Sequence, residues 1–389
     1  MNQLKLRRLW LQLHLYLGLS VGAVFVLLGL TGSLLVFYTT LDNLALPAVT
    51  RPGSSHPGSP QAVSPQAILD KLRADFPART SGWRIELPLH EGDPVLARYL
   101  KPAETRQLHF APLMVTLDPH TLEVTSERLW GNTVMTWLYD LHYTLLLDLD
   151  GKTILAIASL FMLISLLTGL YLWWPQASGN WRKAFAYRRN AHLYKRIYDW
   201  HKLAGVYGLL ALLILVVSGL MLEKPSWFEP WIGAKHGLQH MGSAATPPEH
   251  AAAIPAAALS LDQMAVIALA QFPGSRLRWI YTPDSAQGQY QFRLYQPGEP
   301  GLRFPKTTVQ FDLQGQLLGQ HDYFADSAGD KLLNWLHPLH NGEAFGLVGR
   351  WLVLLSGLLP LLLFVTGWLR WRHKRRAAHL ILTQENKYK

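Results

Sequence analysis

Four histidines occupy repeated positions in the chain. His14-Leu-Tyr-Leu-Gly18 resembles His201-Lys-Leu-Ala-Gly205, and 17 residues after each histidine comes Thr31-Gly32 or Ser218-Gly219. Trp137-Leu-Tyr-Asp-Leu-His142 resembles Trp335-Leu-His-Pro-Leu-His340. That second match runs on without a gap through Gly151-Lys152 and Gly349-Arg350 to Thr168-Gly169 and Thr366-Gly367. Neutral imidazole is a good ligand for transition metals, so four of them at repeated spacing could hold metal centres. Thiol chemistry is excluded, because the chain has no cysteine. That removes disulfides, iron–sulfur clusters, thiol catalysis and thioether-attached haem together.

The elements that must position these histidines are apolar. Four charge-free stretches run from about Tyr16 to Tyr38, Thr153 to Trp174, Leu203 to Leu222 and Trp351 to Leu369. Each approaches the roughly 20 residues a helix needs to cross a bilayer. The first is too long for a signal-peptide apolar core and has no convincing cleavage site, so it is expected to be retained. The formal charge of +10 is segregated. Lys5, Arg7 and Arg8 precede the first stretch, six basic residues from Arg182 to Arg196 separate the second from the third, and Arg370 to Arg376 follow the fourth. The long segments 39–141 and 224–344 hold 9 and 8 basic residues against 11 and 10 acidic ones. The positive-inside rule then puts both termini and the middle loop in the cytoplasm and the two long segments outside. Contact with anionic lipid accounts for the pI near 9.6, and no nucleic-acid partner is implied.

The repeat predicts an internal parallel duplication, each half reading span, outside segment, span. Ser64 and Phe76-Pro77 match Ser260 and Phe272-Pro273, and each outside segment opens on a helical pattern followed by alternating strands. A small α+β domain is expected in each, joined to its span by Pro-rich linkers at 47–65 and 246–256. The expected layout is span one with its N-terminus over 1–38, a domain over 39–141, span two over 142–174, and a basic loop over 175–198. Span three covers 199–223, a second domain 224–336, span four 337–372, and a tail 373–389.

A pseudo-two-fold axis along the membrane normal would bring His14 opposite His201 at the inner level and His142 opposite His340 at the outer level. Facing imidazoles suit the axial positions of a six-coordinate haem iron in a helix bundle. His337 is an alternative to His340. Zinc or copper is a rival, but the histidines fall at two depths with no carboxylate or thiol nearby. Gly18, Gly29, Gly32, Gly205 and Gly219 would leave room for a macrocycle, or simply allow close helix packing. Lys152 and Arg350, and Arg8 with Lys195, could meet propionates; for Arg8 and Lys195 interfacial snorkelling is the better reading. His192, His236, His240 and His373 lack repeat partners and read as surface residues. The absence of ionisable residues from the spans argues against a proton or ion path, and no Walker or dinucleotide motif is present.

With W-x-x-x-L-H before the second span of each half, H-x-x-x-G opening the first, and T-G-x-x-x-W closing spans two and four, the chain resembles the PepSY-associated transmembrane family. Within it the likeness is to inner-membrane ferric-siderophore (ferrioxamine) reductases. The resemblance implies four transmembrane helices, PepSY-like periplasmic domains, two b-type haems and reduction of iron(III) chelates in the periplasm of a bacterial cell. A hydroxamate siderophore is the expected substrate, with quinol or a cytoplasmic reductase as donor. Other expectations remain open: a different acceptor such as free ferric or cupric ion or a periplasmic protein, a non-enzymic PepSY anchor or inhibitor, or a siderophore transporter.

Overall fold

The computed structural model describes residues 3–45, 63–89, 93–175, 181–236, 258–284 and 288–385. In chain order its helices are α1 (Gln3–Leu19), α2 (Val21–Leu35), α3 (Tyr38–Ala45), α4 (Pro65–Asp75), α5 (Val134–Thr144), α6 (Asp148–Trp173), α7 (Trp181–Ala184), α8 (Leu193–Glu223), α9 (Glu229–Ile232), α10 (Leu261–Gln271), α11 (Ala328–His340), α12 (Gly346–Gly357) and α13 (Leu359–Glu385). The strands are β1 (Trp83–Glu86), β2 (Val95–Tyr99), β3 (Leu113–Leu117), β4 (Val124–Leu129), β5 (Arg276–Tyr281), β6 (Tyr290–Tyr295), β7 (Thr307–Phe311) and β8 (Leu317–His321). These sort into two compact units: Met1–Phe37, Leu138–Trp227 and Leu336–Lys389 form a helical unit, and Tyr38–Trp137 with Phe228–Trp335 form a sheet unit.

Among the described residues of the helical unit three stretches are long and apolar enough to cross a membrane, Asp148–Trp173, Leu193–Glu223 and Glu343–Ala377. Helices α1 and α2 pass the same test as a pair bent by 46°. The bend has a local cause. Ser20 sits at the break and its hydroxyl donates to the Tyr16 carbonyl at 2.7 Å, a back-bond that loosens the helical ladder. Helix α1 packs on α6, α8 on both α6 and α13, and α2 on α12 and α13. Phe25, Ala158 and Val216 meet at the centre, while Leu160, Leu167, Leu210 and Leu352 point outward. An apolar exterior is what a lipid environment requires of such a bundle. Gly29 serves packing, since its Cα faces the Gly357 backbone and leaves no room for a side chain.

In the sheet unit the two long segments between the apolar helices do not build separate domains. They form one eight-stranded antiparallel sheet in the order β4-β3-β2-β1-β5-β6-β7-β8. The halves join through β1 and β5, where Arg84 pairs Tyr281, Ile85 pairs Ile280 and Glu86 pairs Trp279. The physical reason is the edge: a four-stranded half ending on β1 would leave a row of unpaired backbone groups, and the other half covers it. Helices α4 and α10 pack one face, with Ile68, Leu72, Met264 and Ala268 buried against Ile85, Ile280, Phe292 and Val309. The two helix starts are tied together. Ser64 caps α4 through Ala67 N at 3.1 Å and donates to Asp262 at 2.6 Å, while Gln66 accepts from Leu261 N at 2.9 Å. Most of the stretches expected as linkers, 47–65 and 246–256, lie outside the described residues.

Candidate paired-histidine sites

The helical unit brings the repeated histidines together in two pairs. The ring centroids of His14 and His201 lie 6.2 Å apart at 83°, and those of His142 and His340 lie 6.2 Å apart at 54°. All four rings are half-buried. His340, the last residue of α11, is the one that faces His142. His337 stands one turn earlier, with Nδ1 3.2 Å from the Asn341 side-chain amide.

Each histidine is held by a Ser/Thr-Gly dipeptide on the other long helix of its own half. His14 Nδ1 lies 3.0 Å from Ser165 O and 3.3 Å from Thr168 Oγ1. His201 Nδ1 lies 3.0 Å from Leu363 O and 2.9 Å from Thr366 Oγ1. His142 Nδ1 is 2.9 Å from Thr31 Oγ1, and His340 Nδ1 is 2.9 Å from Ser218 Oγ. These partners fix the tautomer. Every one of the four hydroxyls donates its only proton to a carbonyl in the preceding turn of its own helix: Thr31 to Leu27 at 2.9 Å, Thr168 to Ser165 at 2.9 Å, Ser218 to Ile214 at 2.6 Å and Thr366 to Leu362 at 2.6 Å. At His14 and His201 the backbone carbonyl beside Nδ1 can only accept, so Nδ1 carries the proton and Nε2 keeps its lone pair; the hydroxyls at His142 and His340 can accept from Nδ1 in the same way. This is the outer-shell arrangement that orients metal-ligating histidines.

The glycines of the same dipeptides make the room. A Cβ on Gly32 would stand 2.8 Å from His142 Cε1, on Gly169 3.0 Å from His14 Cε1, on Gly219 3.1 Å from His340 Cε1, and on Gly367 3.4 Å from His201 Cε1. Gly32 and Gly219 thus seat imidazoles, and Gly169 and Gly367, read from sequence only as part of a closing motif, do the same. Gly18 has open space where a Cβ would be, and Gly205 touches Leu363 at 3.7 Å. Gly151 and Gly349 have another duty: they admit the backbone of Thr144 and Gly342 at the corners leading into α6 and α12.

Donor set and spacing fit an axial ligand pair. A metal–imidazole bond of about 2 Å on each side, with each ring centre about 1 Å further out, puts the centroids about 6 Å apart. The basic residues are placed less simply. Lys152 Nζ is 3.9 Å from Glu223 and 5.2 Å from the Tyr143 ring centre; Arg350 is half-buried on α12. Arg8 and Lys195 are exposed. Arg370 was not singled out by its spacing, yet it lies over the Tyr198 ring at 4.2 Å and within Coulombic reach of both His14 and His201. Asp199, two residues before His201, is fully buried and clamped by Arg188 at 2.8 and 2.9 Å. Of the unrepeated histidines, His192 and His373 are exposed, His373 stacking on Tyr194, while His240 is outside the described residues. His236 is exposed as expected, and its ring meets His321 and Asp326.

The sheet unit holds a cationic interior that no motif announced. On the face away from α4 and α10, Arg84 and Arg98 both reach Glu86, at 2.7 and 2.9 Å. Arg84 and Arg293 lie 4.5 and 5.6 Å from the Trp279 ring centre. Burial pushes the Glu86 carboxyl up, but Arg98 and Arg84 outweigh it and hold it down at about 2.

Apolar helices of membrane-spanning length that seat two histidine pairs, carried in one chain with a mixed helix–sheet unit, define a membrane protein with two paired-histidine sites. The chain matches the PepSY-associated TM region over residues 11–374 and belongs to that family. No curated protein sequence matches it significantly.

Proposed function

We propose that the protein is a di-haem b reductase of the bacterial inner membrane that passes electrons outward to an iron(III)–siderophore, releasing iron in the periplasm. The observation that carries this reading is the two histidine pairs whose ring centres lie 6.2 Å apart, each ring anchored through Nδ1. In this reading the bent pair α1–α2 is one span, the chain crosses four times as a parallel duplication, and both termini are cytoplasmic. The sheet unit then combines two PepSY-like segments on the periplasmic side. His14 with His201 and His142 with His340 would each hold one haem, with Lys152 and Arg350 as propionate partners at the outer level and Arg370 at the inner. Bound there, each haem supplies a one-electron redox centre.

The chain's own residues set the conditions for this. Thr31, Thr168, Ser218 and Thr366 keep the Nε2 lone pairs free and the rings from rotating. Gly32, Gly169, Gly219 and Gly367 allow the rings to reach inward. From His14 to Thr31, which holds His142, is 17 residues, or about 25 Å of helix, most of a hydrocarbon core of roughly 30 Å. Reduction weakens a hard-oxygen chelate, because iron(II) is softer and less charged. Purified protein should show sharp reduced-minus-oxidised α and Soret bands, and stopped flow should show reoxidation by a hydroxamate ferric siderophore. A colourless protein would refute the haem assignment; a haem protein reoxidised only by another acceptor would refute the substrate.

A further inference from the structure

The sheet unit carries a second cluster of metal-ligating groups, outside the histidine repeat. His236 follows α9, His321 ends β8, and Asp326 lies just before α11. Their ligand atoms all fall within 4.8 Å of one another. Asp326 Oδ1 is 3.0 Å from His321 Nε2 and 3.8 Å from His236 Nδ1. The other carboxylate oxygens nearby are taken. Asp326 Oδ2 accepts from Asn334 at 2.9 Å, and Asp330 accepts from the backbone of Lys235 and His236 at 3.0 and 2.9 Å and from Ser327 at 2.6 Å. Asp326 Oδ1 and His321 Nε2 are different: both are buried and face each other at 3.0 Å, with no further hydrogen-bond partner among the described residues.

The first half of the chain closes its corresponding corner with an ion pair, Arg128 on Asp42. The second half sets two carboxylates against two imidazoles instead. Lys331, on α11, turns its amine to the Phe324 carbonyl at 2.8 Å. A cation held among these three groups would satisfy their free ligand atoms together.

We propose that His236, His321 and Asp326 bind a divalent first-row transition cation of the zinc or iron(II) class. Two nitrogens and one carboxylate oxygen are the donor set of such ions, and not of calcium or magnesium. Ligand atoms around a tetrahedral ion lie about 3.3 Å apart; the 3.0 and 3.8 Å contacts of Asp326 are near that, and the two imidazole nitrogens, which with Asp326 fall within 4.8 Å of one another, must draw together through movement of the exposed His236 side chain. Asp330 positions His236 by accepting its backbone N–H. The His236 side chain is 49% exposed, which gives an ion a way in and leaves a coordination position for water, while Asp326 is fully buried.

The test uses the untagged full chain in detergent micelles, treated with EDTA and titrated with Co2+ while ligand-field absorption is followed, then back-titrated with Zn2+. The expected result is about one Co2+ per chain, displaced by Zn2+. Affinity should fall more than about tenfold in His321→Ala and in Asp326→Asn, and stay unchanged in His192→Ala. His236→Gln is the safeguard against misfolding, because it removes a ligand and keeps the backbone bond to Asp330; it too should weaken binding while thermal melting is unchanged. Absence of saturable Co2+ binding, or wild-type affinity in both His321→Ala and His236→Gln, overturns the site.

Discussion

If the Ser/Thr-Gly dipeptides seat haem ligands, alanine at their glycines should damage haem binding in an order set by the space each glycine guards. The Cβ of Gly32→Ala would stand 2.8 Å from His142 Cε1, and 3.5 and 3.6 Å from its two nitrogens. Ordinary contact begins near 3.4 Å, so the ring must retreat by about 0.6 Å, away from Thr31 and along the direction that sets the Nε2 position. Overpacking of this kind costs about 1–3 kcal/mol. At about 1.4 kcal/mol per tenfold, that is roughly five- to 150-fold in haem affinity. Gly169→Ala and Gly219→Ala, at 3.0 and 3.1 Å, should cost less, and Gly367→Ala, already at 3.4 Å, should be close to neutral. The assay is haem content by pyridine haemochrome after passage over apomyoglobin, with redox titration to show which centre is affected. Gly32→Ala should lose or shift the outer haem and spare the inner one. Equal effects at all four glycines, or a larger loss from Gly367→Ala than from Gly32→Ala, would refute the reasoning.

Replacing His14 or His201 with Ala should remove the inner haem and leave the outer; His337→Ala should keep both, and an optical spectrum with haem counting checks each. In sealed vesicles of known orientation, a ferric siderophore supplied only on the periplasmic side should reoxidise the haems rapidly, and His142→Ala should abolish that; equal rates from the cytoplasmic side would contradict it. The sheet unit should be acid-labile through Glu86. Its carboxyl is held at about 2 against an ordinary 4.5, so the stability it contributes is complete above the unfolded value and is lost as pH falls from about 4.5 towards 2. The shift corresponds to roughly 3 kcal/mol, which Glu86→Gln should remove, flattening the pH dependence of thermal melting over that window.

How much of this was legible in the sequence depends on the range of the interaction. The apolar spans and the histidine repeat are written in local composition and in spacing, and both were readable. The pairing of His14 with His201 needed one further step, a symmetry argument, and the structure brings those rings together. It also puts His340 opposite His142, as the repeat with Trp137-Leu-Tyr-Asp-Leu-His142 indicated. The seat of each histidine was not readable, although its parts were in view. Thr168-Gly169 and Thr366-Gly367 were recognised as a closing motif, but their partners His14 and His201 lie 154 and 165 residues away. Only antiparallel packing of the two long helices in each half shows that the motif of one span answers the histidine of the other. The sheet fails for the same reason. Alternation along Gln289-Tyr-Gln-Phe-Arg-Leu-Tyr295 announces a strand, but nothing local states that Ile85 will pair with Ile280, and so one sheet was read as two domains. Alternation also places Arg84, Arg98 and Arg293 on the face away from the helices, which a local reading assigns to solvent. Packing buries that face. Arg293, in a sheet interior, is a polar group held against its solvation preference, and such positions are where function is to be sought.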